Sequence, residues 1–218
     1  MSTHEWLAWI STNALGLGLG FVAILQTGML IELGFNWEMH WDWTEEPVSQ
    51  DTSPYVATLV SFLVGGAILG LAQAFIVRSR DVAEIAWVGA TVTGFGVLAI
   101  FVEWPLIALD LLGIIPGPVE PIIATVGGGT IAGIFQYLML RRQGISASKW
   151  VILWTVGLVA SLVPMVILFV ALDELKISIS WPTEVFVNGF IVGGVAALVS
   201  GRALFAALSG QPAVAVHD

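Results

Sequence analysis

Gly66-Ala-Ile-Leu-Gly70-Leu-Ala-Gln73-Ala-Phe-Ile-Val-Arg78 and Gly129-Thr-Ile-Ala-Gly133-Ile-Phe-Gln136-Tyr-Leu-Met-Leu-Arg141 are two readings of one pattern. Each runs on through eight residues to a tryptophan, Trp87 or Trp150, and through six more to a glycine, Gly94 or Gly157. All six matched positions are displaced by the same 63 residues. A fixed internal period marks one supersecondary unit used more than once. Here the unit is an apolar segment lined with glycine, a basic turn, and a second apolar segment opened by tryptophan. It reads as a hairpin of two membrane helices.

Composition supports that reading. Hydrophobic residues make up 57% of the 218-residue chain and charged residues only 11%, where a soluble domain carries roughly 25%. Several apolar runs reach the length of about 20 residues that a bilayer requires. The pattern predicts an all-α integral membrane protein with six spans, at Trp6–Ile31, Tyr55–Val77, Val82–Trp104, Val119–Leu140, Trp150–Leu172 and Thr183–Ala206. They form a single transmembrane domain with an acidic, tryptophan-rich outer loop over residues 32–54. Met1-Ser-Thr-His-Glu5 has no basic signal-peptide region, so the first apolar segment is expected to stay as a helix.

A third copy of the hairpin is split across the chain ends. Trp9 and Gly16 have the spacing of Trp87 and Gly94, and Gly193-Gly194 resembles Gly65-Gly66 and Gly128-Gly129. Spans two and three, four and five, and six and one would then be three hairpins about a pseudo-threefold axis, circularly permuted. In the third copy Gly201 and Ala206 stand where the others have Gln and Arg.

Charge sets the expected orientation. The turns after spans two and four, with the two termini, hold six basic residues (Arg78, Arg80, Arg141, Arg142, Lys149 and Arg202) against four acids. The opposite side holds twelve acids against Lys176 alone. The positive-inside rule places both termini in the cytoplasm, in a bacterial inner membrane or an internal photosynthetic one. The net charge of −9 argues against nucleic acid as a partner. The chain has no cysteine, which excludes disulfides, thiolate metal sites and cysteine nucleophiles.

The glycine pairs Gly66/Gly70, Gly129/Gly133, Gly189/Gly193 and Gly16/Gly20 are small-x3-small motifs, expected to let neighbouring backbones approach closely. Gln73 and Gln136 lie five residues before the basic ends of their helices, about 7–8 Å into the membrane, where an amide needs a partner. They are read either as interhelical hydrogen bonds or as a polar hook for a bound lipid, carotenoid or quinone. Trp9, Trp87 and Trp150 are expected as interfacial anchors. Together with Arg78, Arg141 and Arg142 they could grip an anionic lipid headgroup.

In the outer loop, Trp37, Trp41 and Trp43 among acids read as a surface segment or as a dock for a membrane-protein partner or a second copy. Glu38, His40 and Asp42 make at most half of a metal site. Glu103 and Asp110 flank Trp104-Pro105. With span three ending at Trp104, Glu103 falls at the outer interface and Asp110 on a short interfacial or re-entrant piece. Acids at membrane depth are functional by default. Asn13, Gln26 and Asn188 complete the polar groups within the spans.

No histidine falls at mid-membrane, which excludes bis-histidine haem ligation. HExxH and GxSxG are absent, and no metal, cofactor or enzymatic activity is expected.

The Gly-x3-Gly-x2-Gln-x4-Arg…Trp hairpins resemble those of uncharacterised multi-pass membrane proteins of cyanobacteria and other, often photosynthetic, bacteria. The likeness covers Gly65–Gly94 and Gly128–Gly157, including Leu140-Arg141-Arg142. It implies the hairpin architecture and a bacterial origin, and carries no activity. The three-hairpin plan is also similar in outline to mitochondrial carriers, but their Pro-x-Asp/Glu-x2-Lys/Arg signatures are absent. The expectation is therefore an accessory or scaffold subunit of a larger membrane complex. The alternative is a protein that binds or transports a lipid, carotenoid or quinone.

Overall fold

The computed structural model describes residues 3–37, 53–78, 82–111 and 120–210. Among them the chain is helical apart from short turns, with no strand. The elements are α1 (Thr3–Trp37), α2 (Ser53–Val77), α3 (Glu84–Leu98), α4 (Trp104–Leu111), α5 (Glu120–Arg142), α6 (Ser148–Glu174) and α7 (Trp181–Ser209). A π-helical turn over Ala99–Glu103 joins α3 to α4 without a break. Trp41, Trp43, Glu38, His40 and Asp42 lie outside the described residues, as does the side chain of Trp37.

Five of the described helical stretches are long and apolar enough to cross a membrane: Thr3–Ile31, Tyr55–Val77, Glu84–Leu106, Ser148–Glu174 and Trp181–Ser209. None of them carries a pronounced polar face, the signature of a helix surrounded by apolar matter on every side. The chain is a multi-pass membrane protein.

The helices close into a ring. Each packs on its neighbour in sequence, from α1 on α2 through α3, α5 and α6 to α7, and α7 returns to α1. Lipid offers no hydrophobic drive for this association, so close backbone approach must supply it. The glycines do so. A Cβ built on Gly94 would fall 2.5 Å from the Ala132 Cα, and one on Gly157 2.6 Å from the Ala196 Cα. One on Gly66 would meet Phe95, and one on Gly129 would meet Leu158. Those two glycines are 63 residues apart, and so are their two partners. Gly189 presses on the Leu17 carbonyl and Gly193 on that of Asn13. Gly70 and Gly133 would meet Thr91 and Trp154, each at 3.1 Å, again a pair of partners 63 residues apart.

The turns at the two ends of α6 share one backbone device. After α5, the Ile145 N–H donates to the Leu140 carbonyl and the Gly144 N–H to that of Arg141, with Gly144 at φ +79°. After α6, the Ile177 N–H donates to Leu172 and the Lys176 N–H to Asp173, with Lys176 at φ 55°. Both are helix ends closed by one left-handed residue.

Span three departs from its expected end. The helix continues past Trp104-Pro105 to Leu111. Pro105 has no N–H and its ring excludes the carbonyl four residues back, so the α-helical ladder cannot run through it. The helix widens instead, and the Trp104 N–H bonds the Ala99 carbonyl, five residues back. The interfacial piece expected to hold Asp110 is the tail of this same helix.

A buried amide knot beneath an axial cavity

The tryptophans that open α1, α3 and α6 are not at the lipid interface. Trp9, Trp87 and Trp150 are each 0% exposed, which corrects the expectation of headgroup anchors. They form one cluster at the basic-turn end of the ring, with Leu140, Leu204 and Phe205. The Trp87 and Trp150 rings lie 6.0 Å apart, and Phe205 meets Trp9 edge-on at the same distance. Arg78 stays outside, 3.1 Å from Glu84 in an exposed ion pair, and Arg141 is exposed. The contact of guanidinium with indole that the structure shows is Arg202 over the Trp6 ring, 5.4 Å from its centre.

One helical turn beyond each tryptophan stands Asn13, Thr91 or Trp154. Four residues back along a helix is within a side chain's reach of a carbonyl. The Asn13 Nδ2 donates to the Trp9 carbonyl at 2.8 Å, and the Thr91 hydroxyl to that of Trp87 at 3.0 Å. Each of these side chains also accepts from a glutamine on the next helix. The Gln73 Nε2 donates to the Asn13 Oδ1 at 2.6 Å, and the Gln136 Nε2 to the Thr91 Oγ1 at 2.8 Å. The Gln136 Nε2 also reaches the Gln73 Oε1 at 2.6 Å, and that oxygen takes the Trp87 indole N–H at 3.0 Å. The knot ties α1, α2, α3 and α5 together. All its polar side chains are buried.

At the third position the device changes. The Trp154 indole donates to the Gly129 carbonyl at 2.9 Å. Gly201 stands where a glutamine would, and a Cβ there would fall 2.6 Å from the Trp9 ring. The indole nitrogens of Trp9 and Trp150 are buried without a hydrogen-bond partner among the described residues.

Beyond this layer, toward the acidic end, the helices leave a partly open cavity of about 260 Å³ between them. Every helix of the ring contributes to its wall: Phe21 from α1, Phe62 from α2, Leu98 from α3, Ala132 from α5, Leu158 from α6 and Val192 from α7. Trp154 and Leu69 line its inner end, next to the knot, while Val185, Thr125 and Glu103 line the other. Among the described residues Glu103 is the one ionisable group on the wall, and it is 8% exposed. Gln73 and Gln136 are not among the lining residues. Their amides serve interhelical bonds, one of the two readings open from sequence.

No family model matches the chain, and no curated protein or solved structure is similar to it.

Sequence reasoning brought Gln73, Gln136, Trp87 and Trp150 to notice, and the structure gathers them at one level. It missed Thr91, although Thr91 follows Trp87 by the same four residues as Asn13 follows Trp9. It also missed the cavity, since nothing in the chain order tells which apolar faces leave a gap between them.

Proposed function

We propose that the chain is a six-span membrane protein, three hairpins about a pseudo-threefold axis, that holds a small apolar molecule in its axial cavity. Helix α5, with 23 residues and a length of about 35 Å, is the sixth span in this reading. The observation that carries the function is the cavity, walled by all six helices and closed at its inner end by Trp154 and Leu69. Bundle interiors are a usual place for such sites. An unfilled apolar gap forfeits dispersion contacts around its whole wall, so an occupant stabilises the ring.

The volume lies just under the range of roughly 300–1,000 Å³ typical of drug-sized ligands. That suits a quinone ring or a short stretch of lipid chain better than a long carotenoid. By the charge rule the cavity opens to the periplasmic, exterior or lumenal side.

The test is native mass spectrometry of protein extracted in gentle detergent, beside Val185→Trp, which sets an indole across the outer end. The wild type should carry a stoichiometric small molecule, and the variant should fold and lose it. An empty wild-type protein, or equal occupancy in both, defeats the reading.

A second reading, an accessory subunit, draws on the twelve acids of one side. They suit docking on a basic membrane-protein partner through Trp37, Trp41 and Trp43. A stable complex that survives changing all three to alanine counts against it.

A further inference from the structure

The two hairpins of the 63-residue repeat differ at one place on their outer surface. Ala74, Glu84 and Gly89 in the first are matched by Tyr137, Ala147 and Ile152 in the second. Two side chains are smaller in the first hairpin, and an acid stands where the second has alanine. All three residues of the first hairpin border one open groove of about 440 Å³ between α2 and α3. The helices touch at Gly70, where a Cβ would fall 3.1 Å from the Val88 Cα. Toward the basic turn the groove runs along their outside. Ala74 is buried at its floor, and Leu71, Phe75 and Ile85 stand exposed along its rims. A Cβ on Gly89 would meet nothing within 4 Å. At the basic-turn end the groove reaches Glu84, whose carboxylate pairs with the Arg78 Nε at 3.1 Å. The two side chains are 46% and 72% exposed. Such a surface pair is held together by little energy, so both charges stay open to a ligand that brings one of each sign.

We propose that this groove is a binding site for phosphatidylethanolamine. One acyl chain lies in the groove, the lipid phosphate accepts from the Arg78 guanidinium, and the ammonium donates to the Glu84 carboxylate. Charge complementarity decides the headgroup. One guanidinium beside one carboxylate is matched by one phosphate beside one ammonium, and both contacts are charge-assisted hydrogen bonds. The trimethylammonium of phosphatidylcholine has no N–H to donate. The head of phosphatidylglycerol sets a negative charge beside Glu84 with no cation to offset it. The groove borders residues 71–75 and 84–89, about 6–8 Å of each helix at 1.5 Å per residue. That is room for the first several methylenes beneath the head. A basic residue at the cytoplasmic interface is where lipid phosphate is drawn, and the charge rule puts Arg78 there. The site is separate from the axial cavity, and neither reading depends on the other.

The experiment takes the full chain in detergent, stripped of lipid, and titrates it with phosphatidylethanolamine, phosphatidylcholine and phosphatidylglycerol of identical chains. Native mass spectrometry counts the lipid bound. Wild type should take up one phosphatidylethanolamine about fivefold more tightly than phosphatidylglycerol, the scale of one exposed ion pair, with phosphatidylcholine between them. Glu84→Ala, the residue of the second hairpin, should bring phosphatidylethanolamine and phosphatidylglycerol level. Gly89→Ile, again the residue of the second hairpin, should lose the preferred lipid and stay folded, because its side chain enters open space. Equal affinity of wild type for the three lipids, or an ethanolamine preference that survives either substitution, overturns the proposal.

Discussion

The pair α2/α3 and the pair α7/α1 set a tryptophan at the same depth and give it opposite surroundings. In the first, the Trp87 N–H finds the Gln73 Oε1 at 3.0 Å. In the second, the Trp9 ring lies on Gly201, and its nitrogen has no acceptor among the described residues. The first pair is bonded; the second is packed. Helix association in lipid can be driven by either means, and this ring adds a polar knot to the close glycine contacts of the α1–α2–α3–α5 side, while Gly157, Gly189, Gly193 and Gly201 bring α7 against α6 and α1. Three copies of the glutamine would crowd three amides and three indoles on one axis. Two glutamines and a glycine leave room for Phe205 and the Trp154 indole.

The packed side should be the easier to break. Gly157→Leu drives a side chain into the Ala196 backbone, 2.6 Å from where its Cβ would stand. Backbone cannot rotate aside as a side chain does, so α6 and α7 must separate. The expected cost exceeds the 1–3 kcal/mol usual for overpacking, seen as loss of folded protein on size exclusion. Gly94→Leu against the Ala132 backbone, on the bonded side, should cost as much, because the obstacle there is again backbone. Gly89→Ala is the control: its Cβ meets nothing within 4 Å, and helix propensity favours alanine by up to about 1 kcal/mol. A glycine effect caused by backbone entropy alone would give all three substitutions the same sign.

The bonded side should fail in proportion to the groups orphaned. Gln73→Leu leaves the Asn13 Oδ1, the Trp87 N–H and the Gln136 Nε2 each short of a partner. Gln136→Leu removes donors from the Gln73 Oε1, which keeps Trp87, and from Thr91, which keeps its carbonyl. With each orphaned group costing about 1–3 kcal/mol, Gln73→Leu should destabilise by about 2–4 kcal/mol, and Gln136→Leu by about half of that. The double variant should cost less than the sum, because the two share a bond. Steric-trapping measurements in bicelles read all three. Equal single effects with full additivity would mean that the knot is not a connected unit.

Gly201→Ala sharpens the contrast at smaller scale. Its Cβ would press on the Trp9 ring at 2.6 Å, whereas one at Gly194 meets the Ala14 Cβ at 3.6 Å, an ordinary contact. The first should cost about 1–3 kcal/mol and broaden or shift tryptophan fluorescence as Trp9 moves. The second should be neutral within about 0.5 kcal/mol.

Much of this was readable in the chain, and what was not has physical reasons. The long apolar runs marked the helices, because membrane helices must be long, apolar and internally bonded, though α1 runs six residues and the third helical stretch seven residues past the expected ends. The Gly-x3-Gly spacings marked Gln73 and Gln136 as amides in need of partners. They could not say which partners, since an amide in lipid is satisfied equally well by protein or by ligand. The tryptophans were misplaced for a related reason. Their depth along the axis follows from sequence, but whether an indole faces lipid or protein depends on helix rotation, and helices apolar on every side give no stripe to fix it. The π-turn was hidden behind a local rule. Trp104-Pro105 reads as a helix end, and only the contact of Trp104 with Tyr55, forty-nine residues away in the chain, shows why the helix goes on.

The smallest effects belong to the two turns that bracket α6, where one backbone geometry is met by two residue types. Gly144, at φ +79°, fits its left-handed position without a Cβ, while Lys176 holds the same region at φ 55° with one. A left-handed residue with a Cβ is disfavoured by roughly 1–2 kcal/mol, part of which a glycine returns as unfolded-state entropy. Lys176→Gly should therefore raise stability by about 0.5–1 kcal/mol, and Gly144→Ala should lower it by about 1 kcal/mol. If the two turns are equivalent as their hydrogen bonds indicate, the shifts have opposite signs and similar size. Lys176 is also the one basic residue on the acidic side, which allows a discriminating variant. Lys176→Asn removes the charge yet tolerates the left-handed region, so it should match Lys176→Gly in sign if backbone geometry governs the turn. A loss of stability in both, restored by Lys176→Arg, would instead assign the position to charge.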